Sequence, residues 1–241
     1  MAEQEFLFPK KYKCPICEKE FENLTVKSNR ARLVGTDMDL RPKYDQIDVL
    51  KYDVICCPHC GYGAISRYFD SPTESQRKKI KQMVWDKVTP LKMPAAGFLT
   101  YEESAERHKL ALLNLMVKNG NGPEKKSEKA YVCLKLGWIH RGWWESEKGK
   151  IDGPALEKIK LAEKRYLKNA YELFLEARGT ESFPMAGMDE MTVDYLIAAL
   201  AIRNDQPDVA KRMVSGILGS FSATSRMKDK ARALLENIDK N

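Results

Sequence analysis

Apolar positions change their rhythm near residue 70. Before it they fall in short β-branched and aromatic clusters such as Tyr52-Asp53-Val54-Ile55, separated by turn residues at Gly35-Thr36, Arg41-Pro42, Pro58, Gly61 and Gly63. That pattern predicts short strands and loops. Beyond it, apolar residues return every three to five positions, the period of an amphipathic helix. A first helix is expected over 72–88, with Ser71 as its cap, Pro72 at the first helical position and Glu74 in the first turn; Pro90 and Pro94 break it. A second is expected over 101–118, opened by the capping-box pair Thr100 and Glu103 and closed by Asn119-Gly120-Asn121-Gly122-Pro123. A third covers 124–144. A fourth covers 155–177, where Leu156, Ile159, Tyr166, Tyr171 and Phe174 make one face and Gly179-Thr180 stops the helix. Three more fall near 189–203, 207–218 and 223–239. Helix following helix through mostly short connections predicts a mainly α chain of α-α hairpins, not alternating β and α units. The expected division is a small strand-containing module over 1–70 and a helical-hairpin domain over 71–241.

The helical part carries a repeat signal. Helical-hairpin repeats of the tetratricopeptide type place small residues where two helices cross closely. Ala198 and Ala210 have the required separation of twelve, on either side of the Asn204-Asp205-Gln206-Pro207 turn. Leu136-Gly137 followed by Ala162 and Tyr166 resembles a second unit with a longer connection. The array is therefore expected to be tetratricopeptide-like.

Composition narrows the class. A hydrophobic fraction of 43% excludes wholesale disorder. No apolar run reaches the roughly 18 residues of a membrane span. The acidic start, Met1-Ala2-Glu3-Gln4-Glu5, lacks the order of a secretory signal, so a cytoplasmic location is expected. Lys and Arg number 41 against 34 acidic residues, a mild excess of +7 that serves solubility and leaves contact with a polyanion open.

The cysteines carry the chemistry. Cys14-Pro15-Ile16-Cys17 and Cys57-Pro58-His59-Cys60 are two Cys-Pro-x-Cys turns. Such a spacing points two sulfurs at a common ion, and two turns supply the four thiolates of a closed tetrahedral zinc site. In a reducing compartment, paired cysteines are metal ligands before they are disulfides. The expectation is one structural zinc in a zinc-ribbon-like module, with Cys14, Cys17, Cys57 and Cys60 as ligands. Cys56 also stands at a plausible ligand spacing from Cys60; Cys57 is preferred because it repeats the first motif. Cys133, between Val132 and Leu134, reads as core. His59 is expected to point outward.

A rival reading makes Cys57 and Cys60 a thiol-disulfide oxidoreductase pair. It requires a helix directly after the motif, where Gly61-Tyr62-Gly63 stands, and it leaves Cys14 and Cys17 without a role. His108 and His140 belong to no triad pattern, and there is no phosphate-binding glycine loop. No enzyme and no small-molecule substrate is implied. Between the cysteine pairs, Lys27, Arg30 and Arg32, then Arg41 and Lys43, make a locally basic insertion that could reach the phosphates of RNA or DNA. Asp37, Asp39, Asp45 and Asp48 dilute its field. On the helices, Trp138, Trp143, Trp144, Tyr166 and Tyr171 are candidate anchors for a partner, although the same spacing serves core packing.

The order of motifs resembles an uncharacterised bacterial family, the domain of unknown function DUF2225. The resemblance rests on Cys14-Pro15-Ile16-Cys17, the stretch from Lys27 to Leu33, Tyr52-Asp53-Val54, Cys57-Pro58-His59-Cys60-Gly61-Tyr62, and Tyr195-Leu196 with Ala198-Ala199-Leu200 and Arg203. It covers most of the chain and implies zinc plus helical repeats, without an activity. The function expected is therefore a non-enzymatic zinc-binding protein whose helical surface binds a protein or peptide. Nucleic-acid binding through the ribbon and its basic insertion is the alternative.

Overall fold

Three antiparallel β-hairpins form the N-terminal part of the computed structural model, which describes residues 3–70, 72–85, 87–119 and 125–238. β1 (Leu7–Lys13) pairs with β2 (Glu20–Val26), bringing Tyr12 opposite Phe21 and Lys11 opposite Glu22. β3 (Leu33–Thr36) pairs with β4 (Pro42–Tyr44) through a register shift between Leu33 and Gly35. β5 (Val54–Cys56) pairs with β6 (Gly63–Ile65), and Cys56 faces Gly63. A Cβ at Gly63 would stand 3.2 Å from the Cys56 sulfur and 3.3 Å from Leu110, so a larger residue here would have to push these neighbours back by a few tenths of an ångström.

Seven helices follow among the described residues: α1 (Glu74–Met83), α2 (Tyr101–Asn119), α3 (Lys126–Glu147), α4 (Gly153–Thr180), α5 (Glu190–Arg203), α6 (Pro207–Gly219) and α7 (Ser225–Ile238). Consecutive helices pack on one another. The chain is mainly α, a helical-hairpin array behind a small strand module, as the hydrophobic pattern predicts.

Several boundaries differ from the expected ones: α3 runs on to Glu147 and α4 begins at Gly153, capped by Asp152, and three further differences have a clear cause. The cap of α1 is Thr73: its hydroxyl accepts from the Gln76 N–H, and the Gln76 side chain accepts from the Thr73 N–H. The box Thr-x-x-Gln satisfies two free donors and so outcompetes a start at Ser71, which lies outside the described residues. The same helix ends at Met83, not Val88, because the chain turns there to lay Val84 and Val88 against the Gly61 turn. α4 runs through Gly179 to Thr180; nothing lies within 4 Å of a Cβ at Gly179, and the Glu181 N–H closes the last turn on the Ala177 carbonyl. Parts of the expected second connection (120–123), the start of the third helix at Glu124 and the last residue of the seventh lie outside the described residues.

Five apolar clusters among the described residues hold these elements. One joins α3, α4 and α5 through Leu134, Leu167, Phe174 and Leu196. Another joins β5 and β6 to α2, α3 and α4 through Val54, Cys56, Ile65, Leu110, Leu136 and Tyr166. The α3–α4 crossing is close: a Cβ on Gly137 would overlap the Leu167 side chain. Ala198 and Ala210 are fully buried where α5 meets α6 and α7. No helix among the described residues is long and apolar enough to cross a membrane.

Candidate metal centre

Two of the hairpins end in cysteine turns of the same build. Between β1 and β2, the Cys14 N–H donates to the Lys19 carbonyl at 3.0 Å and the Glu18 N–H to the Cys14 carbonyl at 2.9 Å. Between β5 and β6, the Cys57 N–H donates to the Tyr62 carbonyl at 2.7 Å and the Gly61 N–H to the Cys57 carbonyl at 3.3 Å. In both, the residue after the second cysteine is left-handed: Glu18 at φ 62° and Gly61 at φ 73°. That single residue reverses the chain around the sulfur, and glycine adopts it without steric cost. Backbone N–H groups point back at the sulfurs, Ile16 to Cys14 at 3.4 Å among them. They offset thiolate charge and fix the side chains.

The turns bring Cys14, Cys17, Cys57 and Cys60 together with all four sulfurs within 4.8 Å of one another. Cys14 lies 3.6 Å from Cys60, and Cys17 lies 3.6 Å from Cys57. A disulfide needs about 2.05 Å. A tetrahedron with metal–sulfur bonds of about 2.3 Å has sulfur–sulfur edges of about 3.8 Å, so these spacings fit a four-coordinate ion. The cluster is packed among Ile16, Phe21, Ile55, Phe69, Ile80 and Val84, and only Cys17 is partly open to solvent.

The protonation pattern describes what such a group lacks by itself. Hydrogen bonds from Cys14 and Cys60 and from the backbone of His59 and Cys60 hold the Cys57 thiol far below its usual range. The Cys14 thiol is pushed up to about 12, first by its bond to Cys57, and Cys60 is raised by its bonds to Cys14 and Cys57. A cation held among the four sulfurs would favour the thiolate form of each.

Strand alternation decides between Cys56 and Cys57. Ile55 and Cys57 face the sulfur cluster, whereas Val54 and Cys56 face α2 and α3. Burial pushes the Cys56 thiol up to about 11 and does the same to Cys133, which sits in the α3–α5 core. His59 is exposed, with Nε2 3.3 Å from the Glu20 carbonyl. After Cys60 the chain passes through Gly61 and Tyr62 into β6 and not into a helix.

The basic insertion is only partly available to a ligand. Arg41 is buried, 2.8 Å from Glu145 and within ion-pair distance of Asp37 and Asp48. Lys43 pairs with Asp37 at 2.5 Å. Lys27 donates to the Glu5 carbonyl at 2.9 Å. Arg30 and Arg32 are exposed. Charge in this segment clamps the β3–β4 hairpin to the helices through a residue that the motif reading passed over. Arg141 of α3 binds Asp39 at 2.5 and 2.9 Å, Asp37 at 2.9 Å and Glu163 at 2.7 Å, and is 4% exposed. The predictive signal was available in the aspartates of the insertion, which lie too far in sequence from Arg141 for spacing to connect them.

The candidate aromatic anchors are largely interior. Trp138, Tyr166 and Tyr171 are buried. Trp143 and Trp144 are half-buried; Trp143 packs on His140, and the Trp144 indole N–H donates to Glu163 at 2.6 Å. The structure therefore corrects the reading of Trp138, Tyr166 and Tyr171 as surface anchors, because each fills space between helices.

No curated protein and no solved structure matches the chain. The profile of a family described as an uncharacterized protein conserved in bacteria matches residues 7–238. That span takes in both cysteine turns, the β3–β4 hairpin and all seven helices, and the chain belongs to this family, DUF2225.

Proposed function

We propose that this chain is a non-enzymatic adaptor held together by one structural zinc ion, with its tetratricopeptide-like helices presenting surfaces to a protein partner. The observation that carries this reading is the sulfur cluster. Four cysteines fill a tetrahedral shell, so no position is left for substrate or for an activated water. Soft thiolates in that geometry suit zinc, which has no redox step to offer. The ion would tie two hairpins that have little core of their own onto Phe69 and α1. The close crossings at Gly137 and at Ala198 and Ala210 support the repeat reading of the helices.

Metal analysis of the purified protein tests the zinc. The expected result is one zinc per chain, lost when Cys14 or Cys60 is changed to Ser; a folded protein without metal overturns it. Cross-linking in the native cell, followed by direct binding of the captured protein to purified chain, tests the adaptor. Recovery of RNA or DNA in place of protein would favour the nucleic-acid alternative, for which Arg30 and Arg32 remain exposed.

A further inference from the structure

We propose that the outward face of α4 is the docking surface, and that it takes an acidic amphipathic helix of a protein partner. This deepens the adaptor reading and rests on it. α4 buries Ile159, Tyr166, Ala170 and Phe174 against its neighbours. The opposite side carries Lys158, Leu161, Lys164, Arg165 and Lys168, which recur at three- and four-residue steps and so form one stripe. The stripe spans about three turns, or about 15 Å, the contact length of a short helix.

Three observations single out this face. A shallow open cavity of about 560 Å³ lies along it, lined by these five residues and Ala162. Every charged group lining that cavity is a cation. Lys158, Lys164 and Arg165 have no carboxylate partner among the described residues, and Lys168 has only a loose, exposed contact with Glu172 at 3.8 Å. At the centre stands Leu161, 67% exposed, more than any other leucine, isoleucine or valine among the described residues. Arg165 is steadied over the Tyr166 ring, 5.2 Å from its centroid, so part of the ordering cost of a charged contact is already met.

The central leucine separates the two classes of anionic partner. A phosphate backbone gains nothing from an exposed aliphatic group, whereas an amphipathic helix can bury an apolar side chain on Leu161 and Ala162 and set carboxylates against the flanking cations. The partner feature is thus an apolar residue flanked by Asp or Glu about one turn away on either side.

A displayed library of short helical peptides tests the surface, selected on the full-length, metal-bound chain and counter-selected on the Lys164→Glu/Arg165→Glu variant. Both residues face solvent, and an unchanged thermal midpoint verifies the fold of the variant. Expected are enriched peptides with an apolar centre and acidic flanks. A chosen peptide should bind about tenfold more weakly to Leu161→Asp and to the double variant, and should protect α4 from hydrogen exchange. Failure to enrich, enriched peptides without acidic residues, or protection on another face overturns the proposal. Tighter binding of a single-stranded DNA probe than of any peptide, or self-association of the chain through α4, overturns it too. A partner mapped to another face leaves the adaptor reading standing, so the two can fail separately.

Discussion

Arg141 balances more buried charge than any other residue described here. Its guanidinium meets Asp37, Asp39 and Glu163, and Asp39 is fully buried. Arg203 adds weaker contacts at 3.7 Å to Asp39 and Glu163. Removing one partner of a buried ionic group strands the others, at a cost of about 3–5 kcal/mol. Arg141→Ala should lose that much in urea unfolding, and Arg141→Lys should recover only part of it, because an ammonium cannot serve three carboxylates in a planar fork. A second buried polar residue gives a pH signature. His108 on α2 is wholly buried; its Nδ1 donates to the Ser104 carbonyl at 2.8 Å and its Nε2 has no partner. Burial lowers it to about 4, below the roughly 6.5 of an unfolded histidine. Between those values the unfolded chain binds the extra proton, so stability is full above pH about 6.5 and falls as pH drops toward 4. The slope contributed by His108 is at most about 1.4 kcal/mol per pH unit. Burial lowers His140 in the same sense. His108→Gln should flatten this part of the unfolding profile, and an unchanged slope would place the acid sensitivity elsewhere.

At the scale of the element, the cysteine turns show how a strand's alternation chooses a ligand. Cys56 and Cys57 are adjacent, yet one faces α2 and the other the sulfurs. If the cluster holds the proposed zinc, Cys57→Ala should lose it, while Cys56→Ala should keep it and lose only packing, as metal content and thermal midpoint would show. The two turns also differ in one informative residue. Glu18 holds at φ 62° the position that Gly61 holds at φ 73°. A non-glycine residue there costs roughly 1 kcal/mol, so Glu18→Gly should be neutral or slightly stabilising; a clear loss in urea unfolding would show that the Glu18 side chain has a role of its own. The turn motifs and one capping signal were legible in the sequence because each is local: Cys-Pro-x-Cys, and Thr100 with Glu103, whereas the cap of α4 at Asp152, just before Gly153 and Pro154, appeared only in the structure. The cap of α1 was misplaced because two local signals overlapped within three residues, and only the hydrogen bonds of Thr73 and Gln76 separate them.

Across the whole molecule, β5 links the sulfur cluster to the helices. One of its faces belongs to the sulfur core and the other to the core shared with α2, α3 and α4. Chelation is expected to lower the thermal midpoint of the helical signal as well as that of the strand module, in one transition followed by far-UV ellipticity and tryptophan fluorescence. Two separate transitions would show that the helices keep their stability without the metal. By itself the sequence determined the order of the helices, the mainly α class and the two cysteine turns, because periodicity, turn chemistry and ligand spacing act over a few residues. Only the tertiary structure decided which charges of the insertion are spent, which aromatics are interior and which face of α4 is left to solvent. Those outcomes depend on residues a hundred positions apart, such as Asp39 and Arg141, whose meeting is set by how the helices pack and not by the spacing of either one.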